Sequence, residues 1–265
     1  IHKGEEPPIS GHKGICNIFF AHCNLNCCYC QNHEISSSIV DSKYVFYNGM
    51  EEIVSRIVEL LPACDNIIGL VSPTQYSHII PELIERIRSH GEKPTVVYNS
   101  NGYDDPSQLR ALSPYVDVYL PDYKYADAEI AHRYSKATLY PEIVLESLKE
   151  MYYQKGSSLI TDENGIARQG MIIRHLVLPN NTDNSIRVLE SIAENLSTNI
   201  HISLMSQYYP PEGASLPAEL TRTINSEEYK TVVRHFEDLG FHNGWIQDPL
   251  SAEQYKPNFS QKDAF

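Results

Sequence analysis

From Ile15 onward the chain alternates short apolar, β-branched runs with amphipathic stretches, and that alternation leaves few folds open to it. NIFFA runs into a cysteine-rich loop and is followed by MEEIVSRIVELL, whose apolar residues recur at helical spacing from Met50 to Leu61. The unit returns as NIIGLV with HIIPELIERIRSH, TVVYNS with DPSQLRAL, VDVYL with DAEIAHRY and PEIVLESLKEMYY, and MIIRHLVL with SIRVLESIAENL. A sixth strand, NIHISLM, follows. Strands joined by helices pair in parallel through right-handed crossovers, which bring every strand's carboxyl end to one side. Six such strands fall short of the eight that close a barrel. The reading is therefore an α/β fold, a partial (β/α)6 TIM-like barrel curled into an open arc. No fixed-period repeat suggests a solenoid.

Each strand ends in polar, glycine- or proline-bearing residues: the cysteine loop, SPTQ, NSNGYDD, PDYK, PNNTDN and SQYYPP. In α/β proteins of this kind the carboxyl ends of the strands carry the chemistry, so these loops are where a site is expected. The turn-rich stretch from Gly156 to Gly170 stands as a candidate lid. After Pro211 come the helix SEEYKTVVRHFEDLG, the short segment GWIQD and a polar tail. Residues 1–211 are read as the core domain and 212–265 as a cap continuous with it.

A length of 265 residues suits one domain of this size, and 42% apolar with 21% charged residues describes an ordinary globular chain. A net charge of −13 repels a phosphate backbone, which argues against nucleic acid as a partner. No stretch approaches the roughly 20 apolar residues of a membrane helix. No leader is visible after Ile1, although a segment preceding it stays compatible with the sequence. Six cysteines are too few for a disulfide scaffold, and four of them crowd between Cys23 and Cys30. Such crowding points to metal binding in a reducing cytoplasm.

Cys23, Cys27 and Cys30 stand at the spacing C-x3-C-x2-C directly after a strand. Thiolates bind iron–sulfur clusters or zinc, and both usually take four protein ligands when the role is structural or electron transfer. Three ligands leave one metal position open for substrate or cofactor. The competing reading is structural zinc with His22 or His33 as fourth ligand. Cys28 reads as a packed free thiol or an alternative ligand, and Cys16 and Cys64 as small buried residues.

The triple with Tyr29 before its last cysteine resembles the signature of the radical S-adenosylmethionine (SAM) superfamily. The flanking HKGEEPPISGHKGICNIFFAHCNLNCCYCQNHEIS, with SPTQYSHII, NSNGY, YLPDYKY, IRHLVLPN and SLMSQYYP, resembles the PflX-like group, related to pyruvate formate-lyase activating enzyme, over about His2 to Pro211. The resemblance implies a partial barrel of the radical SAM type. It implies a [4Fe–4S] cluster on Cys23, Cys27 and Cys30 whose open iron chelates SAM, with reductive cleavage to a 5′-deoxyadenosyl radical that takes hydrogen from a substrate under anaerobic conditions. A flavodoxin- or ferredoxin-like electron donor is implied as partner. Carried over residue by residue, the backbone at Tyr29 lies near the adenine, and Ser72, Pro73 and Thr74 replace a glycine-rich GGE segment that contacts the SAM amino group in many relatives. Asn99, Ser100 and Asn101 end the third strand, Asp122 and Lys124 match a D-x-K, and Arg174 matches an arginine of the fifth strand. Lys124 and Arg174 have the charge to meet the SAM carboxylate, and Gln207 or Tyr208 stands where relatives place a histidine. Some relatives hold a monovalent cation near these loops; Asp122 and Ser100 are present for it, but Asn99 replaces the expected aspartate.

Blander readings stand beside these. Asp122 and Lys124 alternate at a strand end and make a surface ion pair on the plain reading, and His175 points away from Arg174 as a structural histidine. Most of the 18 tyrosines read as packing residues, with Tyr208 and Tyr209 the exception. NSNG lacks the G-x-G-x-x-G of a dinucleotide fold. Three functions compete: hydrogen abstraction from a protein, in the manner of glycyl-radical installation; the same chemistry on a small metabolite; and a non-enzymatic iron–sulfur or zinc protein indifferent to SAM. With no cysteine between Cys30 and Met50 or after Cys64, one cluster is expected.

Overall fold

The computed structural model describes residues 1–4, 6–36 and 49–248, so the polar tail lies outside the described residues. In chain order the elements are α1 (Pro7–Ser10), β1 (Cys16–Phe19), α2 (His33–Ser36), α3 (Met50–Leu60), β2 (Ile67–Val71), α4 (Ile80–Ser89), β3 (Thr95–Asn99), α5 (Pro106–Leu112) and β4 (Val118–Tyr119). They continue as α6 (Ala128–Ser135), α7 (Tyr140–Lys155), β5 (Ile160–Thr161), β6 (Ala167–Leu176), α8 (Thr182–Asn195), β7 (His201–Met205), α9 (Ser226–Asp238) and β8 (Gly244–Ile246). The strands pair in the order β1-β2-β3-β4-β6-β7-β8, every pair parallel, and β5 lies antiparallel to β6. This is the α/β partial barrel expected from the alternation. Among the described residues no helix is long and apolar enough to cross a membrane.

Two expectations need correction. Among the described residues the arc has seven parallel strands, because GWIQD supplies β8 alongside β7, with Ser203 opposite Trp245. Three residues are too few to show a period, and the pairing depends on Gly244, at φ +120°, where a Cβ would meet the backbone of Ile202. The stretch from Gly156 to Gly170 is no lid over the catalytic face. It forms the β5–β6 hairpin at the start of β6, the end opposite Arg174. Its turn is built by Asp162, whose carboxylate accepts from the amides of Asn164 and Ile166, at 2.9 and 3.1 Å, and pairs with Arg168 at 2.8 Å.

β2 and β3 are buried on both faces, as parallel strands between helices and a barrel interior must be. One face packs against the helices; the other closes over a smaller cluster of Ile9, Ile15, Ile67, Val97, Val118, Leu120, Ala167 and Ile172. That cluster plugs the barrel near the amino ends of the strands, with α1 contributing Ile9. Two of the helices around the site begin at side-chain caps: Asp105 accepts from the Ser107 amide before α5, and Asp127 from the Ile130 amide before α6. α9 opens with a capping box of Asn225 and Glu228.

Candidate functional site

Above the apolar plug, at the carboxyl ends of the strands, lies a cavity of about 210 Å³. Cys23, Cys27, Tyr29 and Cys30 line it together with Ser72, Asn99, Ser100, Asn101, Asp122, Lys124, Arg174 and Gln207, and with the apolar Phe19, Val71, Leu176 and Met205. Pro73, Thr74 and Tyr208 do not line it. The chain turns at Ser72, at φ +55°, and leaves into a 3-10 turn over Thr74–Ile79, carrying Pro73 and Thr74 away. Tyr208 is fully buried, donates its hydroxyl to the Leu220 carbonyl at 2.6 Å and packs edge-on to the Tyr29 ring at 5.9 Å. It braces Tyr29 from behind.

The cysteine loop sorts its thiols. Cys28, outside the cavity lining, donates its amide to the Tyr134 carbonyl at 2.7 Å. Burial raises its thiol's pKa, and the charges it feels are Lys136, Glu219 and Arg133, on the side of α6. Each of the other three sulfurs has a polar neighbour. Cys23 Sγ accepts from the Leu25 amide at 3.4 Å and Asn101 Nδ2 at 3.3 Å, Cys27 Sγ accepts from Ser135 Oγ at 2.9 Å, and Cys30 Sγ and Ser36 Oγ share a bond of 3.0 Å. Burial pushes the Cys27 thiol up to about 12 against the pull of Lys124, and raises Cys30 as well. Bound iron reverses that order, since a coordinating thiol is deprotonated outright.

The donor set fits a cluster better than zinc. Among the described residues no three His, Cys, Asp or Glu side chains close on a single-ion centre, as a tetrahedral zinc site at about 2.0 to 2.3 Å demands. In a [4Fe–4S] cluster with one open iron each of three thiolates binds a different iron, and three thiols line this cavity. His33, a candidate zinc ligand, donates Nδ1 to the Cys30 carbonyl at 3.2 Å and does not line the cavity.

In the same lining, Asp122 is held between Lys124 Nζ at 2.6 Å and Arg174 Nε at 3.0 Å, while Arg174 Nη2 donates to Asn99 Oδ1 at 2.8 Å. The expected Asp122–Lys124 pair is thus a part-buried triad lining the cavity, not a surface contact. Burial acts to raise Asp122, but Lys124 first and Arg174 next outweigh it and keep the carboxyl below its usual range. Lys124 stays above its ordinary value because Asp122 and Cys27 outweigh the opposing burial. Lys124 and Arg174 thus bring two cationic side chains to the cavity around the one Asp122 carboxylate. The cation cage gains no support, because Asn99 and Asp122 already accept from Arg174 and Ser100 Oγ donates to Asp104 at 2.6 Å.

Several contributors escaped the sequence reading. Asp104 is buried, accepts from Tyr98 as well as Ser100, and so ties the loop after β3 to its strand; burial raises its carboxyl. Gly102, at φ +78°, lets that loop abut the next one, since a Cβ there would meet the Asp122 carbonyl. Tyr140 locks the junction: its hydroxyl lies 2.8 and 2.9 Å from the carbonyls of Asn101 and Asp122, which share its one proton, and accepts from the Lys124 amide. His2 and Gly4 also line the cavity, held there by the His2–Ile15 backbone pair. A second cavity of about 240 Å³ adjoins the first through Gly4, Arg174, Met205 and Gln207 and extends past Glu6, Ser203, Trp245 and Asp248. His175 is structural, as expected: Nδ1 donates to the Tyr123 carbonyl at 2.7 Å and Nε2 accepts from Ser185 Oγ at 2.9 Å.

Arc and cavity together define a class, a partial α/β barrel with three thiols lining a cavity at the carboxyl ends of its strands. Residues 17–161 match the radical SAM superfamily, and the chain belongs to that superfamily. Membership implies a [4Fe–4S] cluster and SAM as cofactors, which the donor set above suits. An uncharacterized protein of Methanocaldococcus jannaschii is 29% identical over 234 residues, which cover 86% of this chain and 62% of that protein. Among solved structures, SuiB of Streptococcus suis bound to S-adenosylmethionine is similar with a TM-score of 0.59 at 12% identity, over 91% of this chain and 52% of SuiB. The FeFe-hydrogenase maturase HydG from Carboxydothermus hydrogenoformans is similar with a TM-score of 0.57 at 11% identity, over 91% of this chain and 55% of the maturase. At such identities the likeness is one of fold. The chain spans less than two thirds of each of these three proteins.

Proposed function

We propose that Cys23, Cys27 and Cys30 hold a single [4Fe–4S] cluster and that the protein is a radical SAM enzyme of the PflX-like, pyruvate formate-lyase activating enzyme-related kind, with residues beyond 211 completing the same domain. The observation that carries this is the sorting of thiols: three line one cavity and Cys28 does not. Bound together, cluster and SAM supply reductive cleavage to methionine and a 5′-deoxyadenosyl radical. The chain's own residues bind, orient and shield. Lys124 and Arg174 attract the SAM carboxylate, and Asp122, in contact with both, fixes where the two cations sit. Ser72 and the Asn99–Asn101 loop offer polar groups to the amino acid and ribose parts, and the Tyr29 backbone stands beside the adenine. Gln207 marks the passage to the second cavity, where Trp245 and Ser203 await the hydrogen donor. A flavodoxin- or ferredoxin-like protein delivers the electron.

The substrate is read as macromolecular. Among the described residues β1 and β8 do not pair, so the arc stays open, and a bound polypeptide completes the enclosure that a radical needs. Reduced, reconstituted protein given SAM anaerobically should release 5′-deoxyadenosine, several-fold faster when the macromolecular fraction of a cell extract is added. Stimulation confined to the low-molecular-weight fraction would replace this reading with a small-metabolite one.

A further inference from the structure

Three buried hydroxyls stand in line behind Cys27. Tyr29 Oη and Tyr125 Oη are 2.5 Å apart, Tyr125 Oη and Ser135 Oγ 2.7 Å, and Ser135 Oγ and Cys27 Sγ 2.9 Å. Tyr29 is 6%, Tyr125 0% and Ser135 1% exposed, so water does not stand in for any link. The line joins the cysteine loop, the segment after β4 and the last residue of α6.

The carboxyl end of α6 is fitted to this task. Lys136, at φ +57°, ends the helix in the left-handed region. The last carbonyls of a helix have no intrahelical partner, and here they turn to the cysteine loop: Ser135 accepts from the Asn26 amide at 3.3 Å and Tyr134 from the Cys28 amide at 2.7 Å. Backbone and side chain of the same helix end therefore grip the loop on both sides of Cys27.

We propose that Ser135 is a positioning residue for the cluster: its hydroxyl, aimed by Tyr125 and Tyr29, donates to the Cys27 sulfur and favours the reduced cluster. This rests on Cys27 being a ligand. A coordinating thiolate only accepts, and a hydroxyl has one proton to give. Ser135 spends its proton on sulfur, so Tyr125 must donate to Ser135 and Tyr29 to Tyr125. All three O–H dipoles then point the same way along the chain, and each strengthens the next. Reduction adds negative charge that the cluster's sulfurs share, and hydrogen bonds to those sulfurs are among the factors that set the potential. The chain thus stabilises the state that donates an electron to SAM.

The test is an anaerobic redox titration of the reconstituted cluster, followed by electron paramagnetic resonance, with iron counted for every variant. Ser135→Ala should keep about four irons per chain and shift the reduction equilibrium on the order of tenfold against the reduced form, 59 mV more negative for a one-electron couple. Tyr125→Phe keeps the ring and its packing and should shift it the same way by less. Ser135→Thr, which restores the hydroxyl, should return it to the wild-type value. Equilibria within twofold of wild type in both Ser135→Ala and Tyr125→Phe would overturn the proposal. If Ser135→Ala fails to hold iron, Tyr125→Phe alone decides on the same criterion. Cys27→Ala separates the two readings: loss of the cluster there upholds the ligand assignment whatever the potentials show, and full retention overturns the assignment and this proposal together.

Discussion

His175 follows Arg174 on β6 and faces the opposite side, so one residue's step along a strand separates a cavity cation from a buried neutral imidazole. Burial lowers its pKa from 6.5 to about 4, against the weaker pull of the Tyr123 carbonyl and Asp122. Between those values the unfolded chain takes up a proton that the folded chain refuses. The stability linked to His175 is therefore present above pH 6.5 and is lost as pH falls toward 4, on the order of 3 kcal/mol at most. Urea midpoints measured from pH 7.5 to 4.5 should decline over this window, and His175→Gln should flatten that decline; parallel profiles would contradict the assignment. The alternation of a strand made this residue legible, as fixed spacing did for the cysteine triple. Ser135 and Asp104 carry no such mark. Ser135 meets Cys27 across 108 positions, and nothing in a helix-ending serine announces its partner. Ser72 is a further case: its positive φ is one that glycine adopts freely, and only the folded turn shows why Pro73 and Thr74 leave the cavity.

Elements of ten or so residues were legible because a period has room to show, as in α4, where Leu83, Ile84 and Ile87 are buried and Glu82, Glu85 and Arg88 are not. β8 and the β5–β6 hairpin were not, because strands of two or three residues are defined by their pairing. α9 matters to both cases, since it packs on α8 and delivers the chain to β8. Its capping box joins Asn225 and Glu228, and Arg222 holds the Glu228 carboxyl down to about 2. Asn225→Ala leaves the amides of Glu227 and Glu228 without that acceptor and should cost about 1 kcal/mol. For a domain of this size that is a fall of roughly 2 to 4 °C in Tm, readable by calorimetry, and an unchanged Tm would deny the cap its role.

At the scale of the whole molecule, the arc is solid at one end and hollow at the other. The apolar cluster around Ile172 and Val118 fills the amino ends of the strands, so the polar groups at the carboxyl ends gather over a fixed floor. Loops from positions 23, 72, 99, 122, 174 and 207, distant in sequence, converge there because parallel strands end on one side. On the proposed function, this convergence holds a three-cysteine cluster against SAM. The most direct measurement of that function is 5′-deoxyadenosine release by reduced, anaerobically reconstituted protein, compared across single alanine replacements of the four clustered cysteines. Cys23→Ala, Cys27→Ala and Cys30→Ala should each lose the cluster and release none, while Cys28→Ala keeps about four irons and releases it at close to the wild-type rate. Release that survives Cys27→Ala and disappears in Cys28→Ala would contradict the account.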